Sequence, residues 1–301
     1  MVNMTTKVVS GVYTVTEADD LITPVVFDSP HSGIEFPADF QSSVAPSLLT
    51  SVADLYVDEL YADAVNRGAA FLKAHFPRVY VDANRPLSDL DESLLSGTDR
   101  DIKDAKLKGA RGIGLIWTLA PDQSPIYDTP LSESQMRRRV DRYWVPYHAM
   151  LDALLAARRN AFGAVWHVNC HSMPGAGTKL MGDFGNPRPD IIIGTRDGTT
   201  CSPEFAALIA DHFSAKGFDT RVNELFKGAD IVRRCGDPAN GCHSVQIEIN
   251  KSLYMDEQSF DRLDSFQDFR DDVIAPLMDI VCAYAAEQCP GGLPDGIQTA
   301  V

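Results

Sequence analysis

Short apolar runs rich in β-branched residues alternate along the chain with stretches of helical periodicity. Runs of this kind, bounded by turn residues, predict buried strands, and they lie at 25–27, 79–81, 164–168, 191–193 and 245–249. Helical spacing predicts three helices, from Ser51 to about Gly68, from about Ser132 to Asn160, and from Ser202 to Gly217. Apolar strands that alternate with helices indicate an α/β sheet covered on both faces.

No internal repeat divides the 301 residues, so the pattern favours one domain over two. We predict a flexible N-terminus at 1–15, a single catalytic domain at 16–288 and a flexible tail at 289–301. Two polar stretches, 86–112 and 172–190, are too long for simple connections. Long loops in compact domains are usually functional or disordered, and we interpret both stretches as lids over a site.

The charge balance excludes several classes of partner. The chain carries 27 Lys and Arg against 42 Asp and Glu, a net charge of −15, which disfavours nucleic acid and anionic membrane surfaces. A small anionic ligand would therefore need a local cluster of Arg or Lys. The six cysteines contain no C-x-x-C pair, and no signal-like or membrane-spanning apolar run is present. We therefore expect a cytoplasmic protein; the sequence leaves its oligomeric state open.

Polar residues of catalytic type follow or interrupt several predicted strands. His31 comes just after the first strand, and His171 comes just after the third. Glu248 interrupts the last strand, where an unpaired buried carboxylate would cost several kcal/mol without a partner or an ion. Two imidazoles and a carboxylate can hold one zinc ion with an open position for water, which leaves a further carboxylate to act as a base. This set of residues predicts a hydrolytic metal site.

The carboxylate ligand is expected on the predicted helix that follows His31. Asp54 and Asp58 are four residues apart, so a helix would place both on one face. Without a cation two such acids repel each other slightly, which favours a binding role. The spacing alone leaves Asp54 and Asp58 as alternatives.

Seven strings in one order carry a family resemblance. They are DSPHSG, DLYVDELY, VDANR, HVNCHSMP, IIIGTRDG, LFKGADIVRR and VQIEINKSLYMDE, and they span about residues 20 to 285. In this order they resemble the N-formylglutamate amidohydrolase family, and more distantly the zinc carboxypeptidases and zinc-dependent cell-wall amidases. The resemblance implies a three-layer α/β/α fold with a central mixed, mostly parallel sheet.

The resemblance also implies an activity. It is hydrolysis of the N-formyl amide of N-formyl-L-glutamate to formate and L-glutamate in histidine degradation, with one zinc ion and a zinc-bound water as nucleophile. Residue by residue, His31, Asp54 and His171 match the expected ligands, and Glu248 matches the expected base. Asn169 stands where an Asp is expected in much of the family, and an amide there could accept a hydrogen bond but supply no charge.

A dianionic substrate needs cationic partners in this acidic protein. Arg85, Arg196 and Arg233 lie in or just after turns near the proposed site, and Arg binds carboxylates in a bidentate manner. We predict that they bind substrate together with Asn84, whereas Arg234 is expected in a surface ion pair. Further site candidates are Asp58, Asn169, His167 and His243.

Two alternatives stay open. One is a zinc amidohydrolase that acts on another N-acyl amino acid or a small peptide. The other is a metal-free binding protein on the same fold. The metal itself could be a different divalent ion.

Overall fold

One mixed sheet forms the centre of the protein. The computed structural model describes residues 3–89 and 111–289, and in this part of the chain the sheet has eight strands. Their bounds are β1 Met4–Val9, β2 Tyr13–Ala18, β3 Val25–Ser29, β4 Ala70–Ala74, β5 Val165–Met173, β6 Ile191–Gly194, β7 Thr220–Val222 and β8 Cys242–Asn250. Their spatial order is β1-β2-β4-β3-β5-β8-β6-β7. The central strands β4, β3, β5 and β8 run parallel to one another, so their carboxyl ends meet at one edge.

Helices cover the two faces of this sheet. The α-helices are α1 Pro46–Thr50, α2 Val57–Leu60, α3 Glu133–Arg139, α4 Val145–Phe162, α5 Pro203–Ala215, α6 Asp230–Cys235, α7 Phe266–Phe269 and α8 Ala275–Glu287. Shorter turns of 3₁₀-helix lie at Ala62–Arg67, Pro238–Asn240 and Lys251–Leu253, and π-helical segments lie at Val140–Trp144 and Arg270–Ile274. None of the described helices is both long and apolar enough to cross a membrane.

Alternation along β3 shows how the layers are built. Val26 packs with Leu151 of α4 in one buried cluster. Phe27, the next residue, packs in a different cluster with Ile209 of α5 and Val281 of α8. Because successive side chains point to opposite faces of a sheet, the strand is buried on both sides. The predicted α/β/α architecture with a mixed, mostly parallel sheet is confirmed.

Most predicted elements are present. The runs at 25–27, 164–168, 191–193 and 245–249 lie in β3, β5, β6 and β8. Ser132 caps the second predicted helix by accepting a hydrogen bond from the Gln135 amide, and Ser202 caps α5 in the same way through Phe205. In these segments the apolar runs and the capping residues predicted the elements correctly.

The run at 79–81 is not a strand. Val79 and Val81 are fully buried, but the backbone turns here, and the Tyr80 amide donates to the Pro77 carbonyl at 2.9 Å. Burial of apolar side chains does not require pairing in a sheet, and this run illustrates that ambiguity.

The helix predicted from Ser51 to Gly68 is also wrong in its first half. Tyr56 has a φ of 66°, in the left-handed region, which a continuous right-handed helix cannot contain. The helical segment begins at Val57 as α2 and continues as the 3₁₀ turn Ala62–Arg67. Asp54 therefore lies in the turn before the helix and does not share a helix face with Asp58.

The segment predicted as a flexible N-terminus at 1–15 contributes to the sheet from residue 4 onward. β1 pairs with β2, and β2 pairs with β4, both antiparallel. Val12, Tyr13 and Val15 are buried against the sheet and its helices, and the flexibility of the segment stays a prediction. The tail from residue 290 onward, and most of the predicted lid at 86–112, lie outside the described residues.

Candidate metal centre

The site lies at the edge where the parallel strands end. His31 follows β3 by two residues, His171 lies near the end of β5, and Glu248 lies near the end of β8. In the register of the sheet His171 is paired with Glu248. Carboxyl ends of parallel strands are the usual place for ligands in open α/β sheets.

Three buried side chains converge there. His31, Asp54 and His171 each offer one ligand atom, and these atoms lie within 4.8 Å of one another. His171 Nδ1 is 2.9 Å and His31 Nδ1 is 3.5 Å from Asp54 Oδ2. The Asp54 backbone amide donates to the His31 carbonyl at 2.9 Å, which fixes the turn that carries this carboxylate.

The chemistry of these three groups fits a metal ion. His31 Nε2 is 2.7 Å from Asp82 Oδ1, so we assign its proton to Nε2, and Nδ1 is buried with no hydrogen-bond partner among the described residues. An orphaned ring nitrogen that faces a carboxylate and a second imidazole is suited to a cation. Two imidazoles and one carboxylate are a common ligand set for catalytic zinc, and a carboxylate behind a ligand His is typical of such sites.

The protonation states of the cluster agree with this fit. Burial opposes ionisation of Asp54, but interactions with the imidazoles of His171 and His31 outweigh it and lower the pKa of this carboxyl. Burial also lowers the pKa of His171, which keeps the imidazole neutral. A neutral imidazole and an ionised carboxylate are the forms that bind metal.

Glu248 lies at the same site in a different environment. Burial and the nearby charge of Asp54 raise the pKa of Glu248 well above its usual range. Gln246 Nε2 donates to Glu248 Oε1 at 2.8 Å, and the amide of Gln246 is oriented by the Ala229 N–H, which donates to its Oε1 at 2.9 Å. Glu248 is thus held in place as a carboxyl group with raised proton affinity.

A cavity of about 300 Å³ contains these groups. Its walls include the three cluster residues, Glu248, and the cationic side chains of Arg78, Arg85, Arg188, Lys227 and Lys251. Apolar residues also line the cavity, among them Val52, Ile113, Trp117, Leu180, Met181, Leu225 and Phe226. The cavity therefore combines a polar, cationic region with an apolar one. Part of the stretch 172–190 contributes to the lining, and its role as a lid stays a prediction.

Several candidates from the sequence do not join the cluster. Asp58 forms an ion pair with Lys73 at 2.9 Å, because it lies within α2 beyond the turn that carries Asp54. His167 is fully buried between Asp28 and Ser244. His243, at the start of β8, stacks on a tryptophan away from the cavity. Neither of these two histidines is among the groups that could hold the metal.

The predicted substrate-binding residues separate into two pairs. Asn84 and Arg85 line the cavity. Arg196 donates from Nη1 to the Gly228 carbonyl at 3.2 Å, and Arg233 is half-exposed in an ion pair with Asp230; neither lines the cavity. A turn position near a strand end did not determine where these two side chains point.

Other residues of the site were missed from the sequence. Arg78 is 3.2 Å from Asp82 Oδ2 and 3.7 Å from Asp54 Oδ1 through different guanidinium nitrogens. Arg188 is paired with Asp183 at 2.9 Å. Arg78 lies four residues before Asp82 in the string FPRVYVD. This spacing brings the two side chains together because the segment forms a turn, and the turn was not predicted.

Fold and site together define an α/β protein with a candidate hydrolytic metal centre at the carboxyl edge of its sheet, and comparison with known proteins places it further. The N-formylglutamate amidohydrolase family model matches residues 23–255. The N-formylglutamate deformylase of Pseudomonas aeruginosa is 31% identical over 241 residues, 78% of this chain and 84% of that protein. The Pseudomonas putida N-formylglutamate deformylase is 27% identical over 270 residues, 88% of this chain and 94% of that protein.

Solved structures support the same family and fold. The crystal structure of N-formylglutamate amidohydrolase from Ralstonia eutropha JMP134 matches 92% of this chain and 99% of that chain, with a TM-score of 0.85 and 36% identity. The gene product Atu2144 from Agrobacterium tumefaciens, 18% identical with a TM-score of 0.57 over 90% of this chain and 96% of that chain, shares the fold. The chain belongs to the N-formylglutamate amidohydrolase family, and it is a hydrolase of amide C–N bonds.

Proposed function

We propose that this protein hydrolyses N-formyl-L-glutamate to formate and L-glutamate with the help of one divalent metal ion, most readily zinc. The observation that carries the proposal is the buried cluster of His31, Asp54 and His171 beside Glu248 in a cationic cavity. The names of the two Pseudomonas relatives support the substrate.

His31, Asp54 and His171 would hold the metal through two ring nitrogens and one carboxylate oxygen. When bound, a zinc ion supplies a Lewis acid that polarises a carbonyl and lowers the pKa of water. Asp82 has the separate task of holding the ring of His31 at Nε2. The chain thus supplies three ligands and leaves room for substrate and water.

Glu248 is the proposed general base. In the reaction a water oxygen bonds to the formyl carbon, and the bond between that carbon and the glutamate nitrogen breaks. Glu248 takes a proton from the attacking water and then gives it to the departing nitrogen, so that formate and the free amine are released. The raised pKa of Glu248 gives this carboxyl group the higher proton affinity that both transfers need.

Substrate recognition is assigned to the cationic wall of the cavity. Arg85 has a side chain that is 14% exposed, and its Nη1 donates to the Asn84 carbonyl at 3.1 Å, which fixes the direction of the guanidinium. A planar guanidinium binds a carboxylate through two parallel hydrogen bonds. Because the whole chain has a net charge of −15, local cations of this kind are required to hold a substrate with two carboxylates.

The test is formate release from N-formyl-L-glutamate, compared with N-formyl-L-glutamine and with acetate release from N-acetyl-L-glutamate. We expect the highest kcat/KM for N-formyl-L-glutamate. Faster turnover of the acetyl compound, or equal turnover of the glutamine compound, would support an amidohydrolase for another N-acyl amino acid. No turnover of any of the three by metal-loaded protein would contradict the proposal.

A further inference from the structure

A line of buried polar side chains extends from the candidate metal centre into the sheet. Asp28 on β3 and Asn169 on β5 are fully buried on the same face as His171. Asn169 Nδ2 donates to Asp28 Oδ1 at 2.6 Å, and Asn169 Oδ1 lies 2.7 Å from His171 Nε2. The side chain of Asp28 bonds to Tyr147, His167 and Asn169, and the amide of Asn169 connects it to His171.

The orientation of the Asn169 amide follows from its partner. Burial opposes ionisation of Asp28, but the hydrogen bond and charge of His167, with hydrogen bonds from Asn169 and Tyr147, outweigh it and lower the pKa of this carboxyl. An ionised carboxylate only accepts hydrogen bonds. The NH₂ group of Asn169 must therefore face Asp28, and its carbonyl oxygen must face His171.

His171 Nε2 has a second neighbour, a hydrogen-bond donor, which favours an Nε2 without a proton. Asn84 Nδ2 lies 2.9 Å from the same nitrogen, and its amide is fixed because the Ile231 N–H donates to Asn84 Oδ1 at 2.8 Å. With its proton on Nε2, the ring can donate to Asn169 Oδ1. With its proton on Nδ1, the ring would donate to Asp54, and Nε2 would accept a hydrogen bond from Asn84 Nδ2. Only the first tautomer leaves Nδ1 with a free lone pair for a cation.

We propose that Asp28 is a positioning residue that sets the ring tautomer of His171 through the amide of Asn169. The inference rests on the metal site proposed above. The buried negative charge of Asp28 polarises the amide, which strengthens the carbonyl of Asn169 as an acceptor for the Nε2 proton. In many metal sites a carboxylate accepts a hydrogen bond directly from a ligand His. Here the neutral amide of Asn169 lies between the carboxylate of Asp28 and the ring of His171.

The same geometry explains why an amide suits position 169. A carboxylate there would stand about where Asn169 Nδ2 now lies, 2.6 Å from Asp28 Oδ1, and two close buried carboxylates cannot both ionise. Asp28 and Asn169 are therefore complementary. Replacing one of them alone should lower zinc affinity more than replacing both.

Asp28→Asn is the first test, because it removes the charge and keeps the shape. Oδ1 of the new amide can still accept from His167 and Asn169, and its NH₂ can face the Tyr147 hydroxyl, which now donates to Asp28 Oδ2 at 2.8 Å. We expect zinc affinity, measured by competition with a chelator, to fall by about 10- to 100-fold, the usual loss for a residue behind a metal ligand. In the metal-free variant, the ¹⁵N shifts of the His171 ring should move toward the tautomer with the proton on Nδ1.

Tyr147→Phe is the matched control. It removes a hydrogen bond to the other oxygen of the same carboxylate but keeps the charge and the contact with Asn169. We expect thermal stability to fall while the zinc affinity and the His171 shifts stay as in the wild type. If both variants weaken zinc binding equally, Asp28 has only a structural role and the proposal is overturned.

The double variant Asp28→Asn with Asn169→Asp completes the test. It returns one carboxylate to this pair of positions, now in direct contact with His171, while His167 can adopt the other tautomer by donating to Ser244. We expect Asn169→Asp alone to bind zinc weakly and the double variant to recover wild-type affinity. Unchanged affinity in Asp28→Asn, or no recovery in the double variant, would overturn the role of Asp28. Failure of the wild type to bind zinc would instead contradict the proposed function.

Discussion

Asp82 Oδ1 lies 2.7 Å from His31 Nε2, and the other nitrogen of that ring faces Asp54 Oδ2 at 3.5 Å. All three side chains are at most 2% exposed. Contacts with His31 and Arg78 outweigh the effect of burial and hold the pKa of the Asp82 carboxyl well below its usual range. The ionised Asp82 therefore orients the imidazole so that Nδ1 is directed at the proposed metal.

Asp82→Asn tests this orientation. The amide retains an oxygen for His31 but loses the charge that favours the proton on Nε2, so zinc affinity should fall by about 10- to 100-fold. The measurement is zinc competition with a chelator. Asp58→Asn is the matched control, because Asp58 is paired with Lys73 outside the cluster. A loss of zinc in Asp58→Asn that equals the loss in Asp82→Asn would contradict the assignment of the ligands.

Glu248→Gln tests the general base. The glutamine keeps the size of the side chain but cannot accept a proton, so kcat should fall by about 10² to 10⁴, the range for general acid–base catalysis. The zinc content should stay that of the wild type, because Glu248 is not one of the three clustered ligands. Steady-state kinetics and metal analysis on the same preparation check both statements. A kcat within the error of the wild type would assign Glu248 a structural role.

Arg85→Lys tests recognition of the substrate carboxylate. Lysine keeps the charge but not the planar pair of donors, so KM for N-formyl-L-glutamate should rise with a smaller change in kcat. Arg233→Lys serves as the control, because Arg233 is half-exposed and paired with Asp230 outside the cavity lining. Equal effects of the two substitutions on KM would show that Arg85 does not contact substrate.

His148 provides a pH-dependent prediction for stability. Burial and the adjacent charge of Arg234 lower the pKa of His148 to about 3, against about 6.5 in an unfolded chain. Between these values the unfolded state binds a proton that the folded state does not, so stability is lost as the pH falls below about 6.5. His148→Gln should reduce the slope of unfolding free energy against pH, by up to about 1.4 kcal/mol per pH unit near pH 5. Urea unfolding of both proteins between pH 4.5 and 7.5 checks this, and parallel slopes would contradict it.

The sequence predicted the position of a site residue correctly where that position depends on strand alternation. His171 and Glu248 lie on strands whose apolar residues face the opposite layer, so their convergence at one edge follows from the pattern. The same alternation places Asn169 beside His171, and the structure shows this contact at 2.7 Å.

The sequence did not predict the position of a side chain where that side chain is held by irregular backbone. Asp54 could not be separated from Asp58 because the left-handed Tyr56 interrupts the expected helix. Arg78 was missed because the apolar run at 79–81 resembles a strand but folds as a turn. Such positions depend on long-range contacts, which local hydrophobic periodicity does not encode.

The central claim is that the cluster of His31, Asp54 and His171 binds a metal ion on which hydrolysis of N-formyl-L-glutamate depends. The most direct measurement is formate release by purified protein before and after removal of metal with a chelator, and again after addition of zinc, with His171→Ala treated in parallel. We predict that the wild type loses activity on chelation and recovers it with about one zinc ion per chain, and that His171→Ala retains neither zinc nor activity. Full activity of the metal-stripped wild type, or a fully active His171→Ala variant, would contradict the claim.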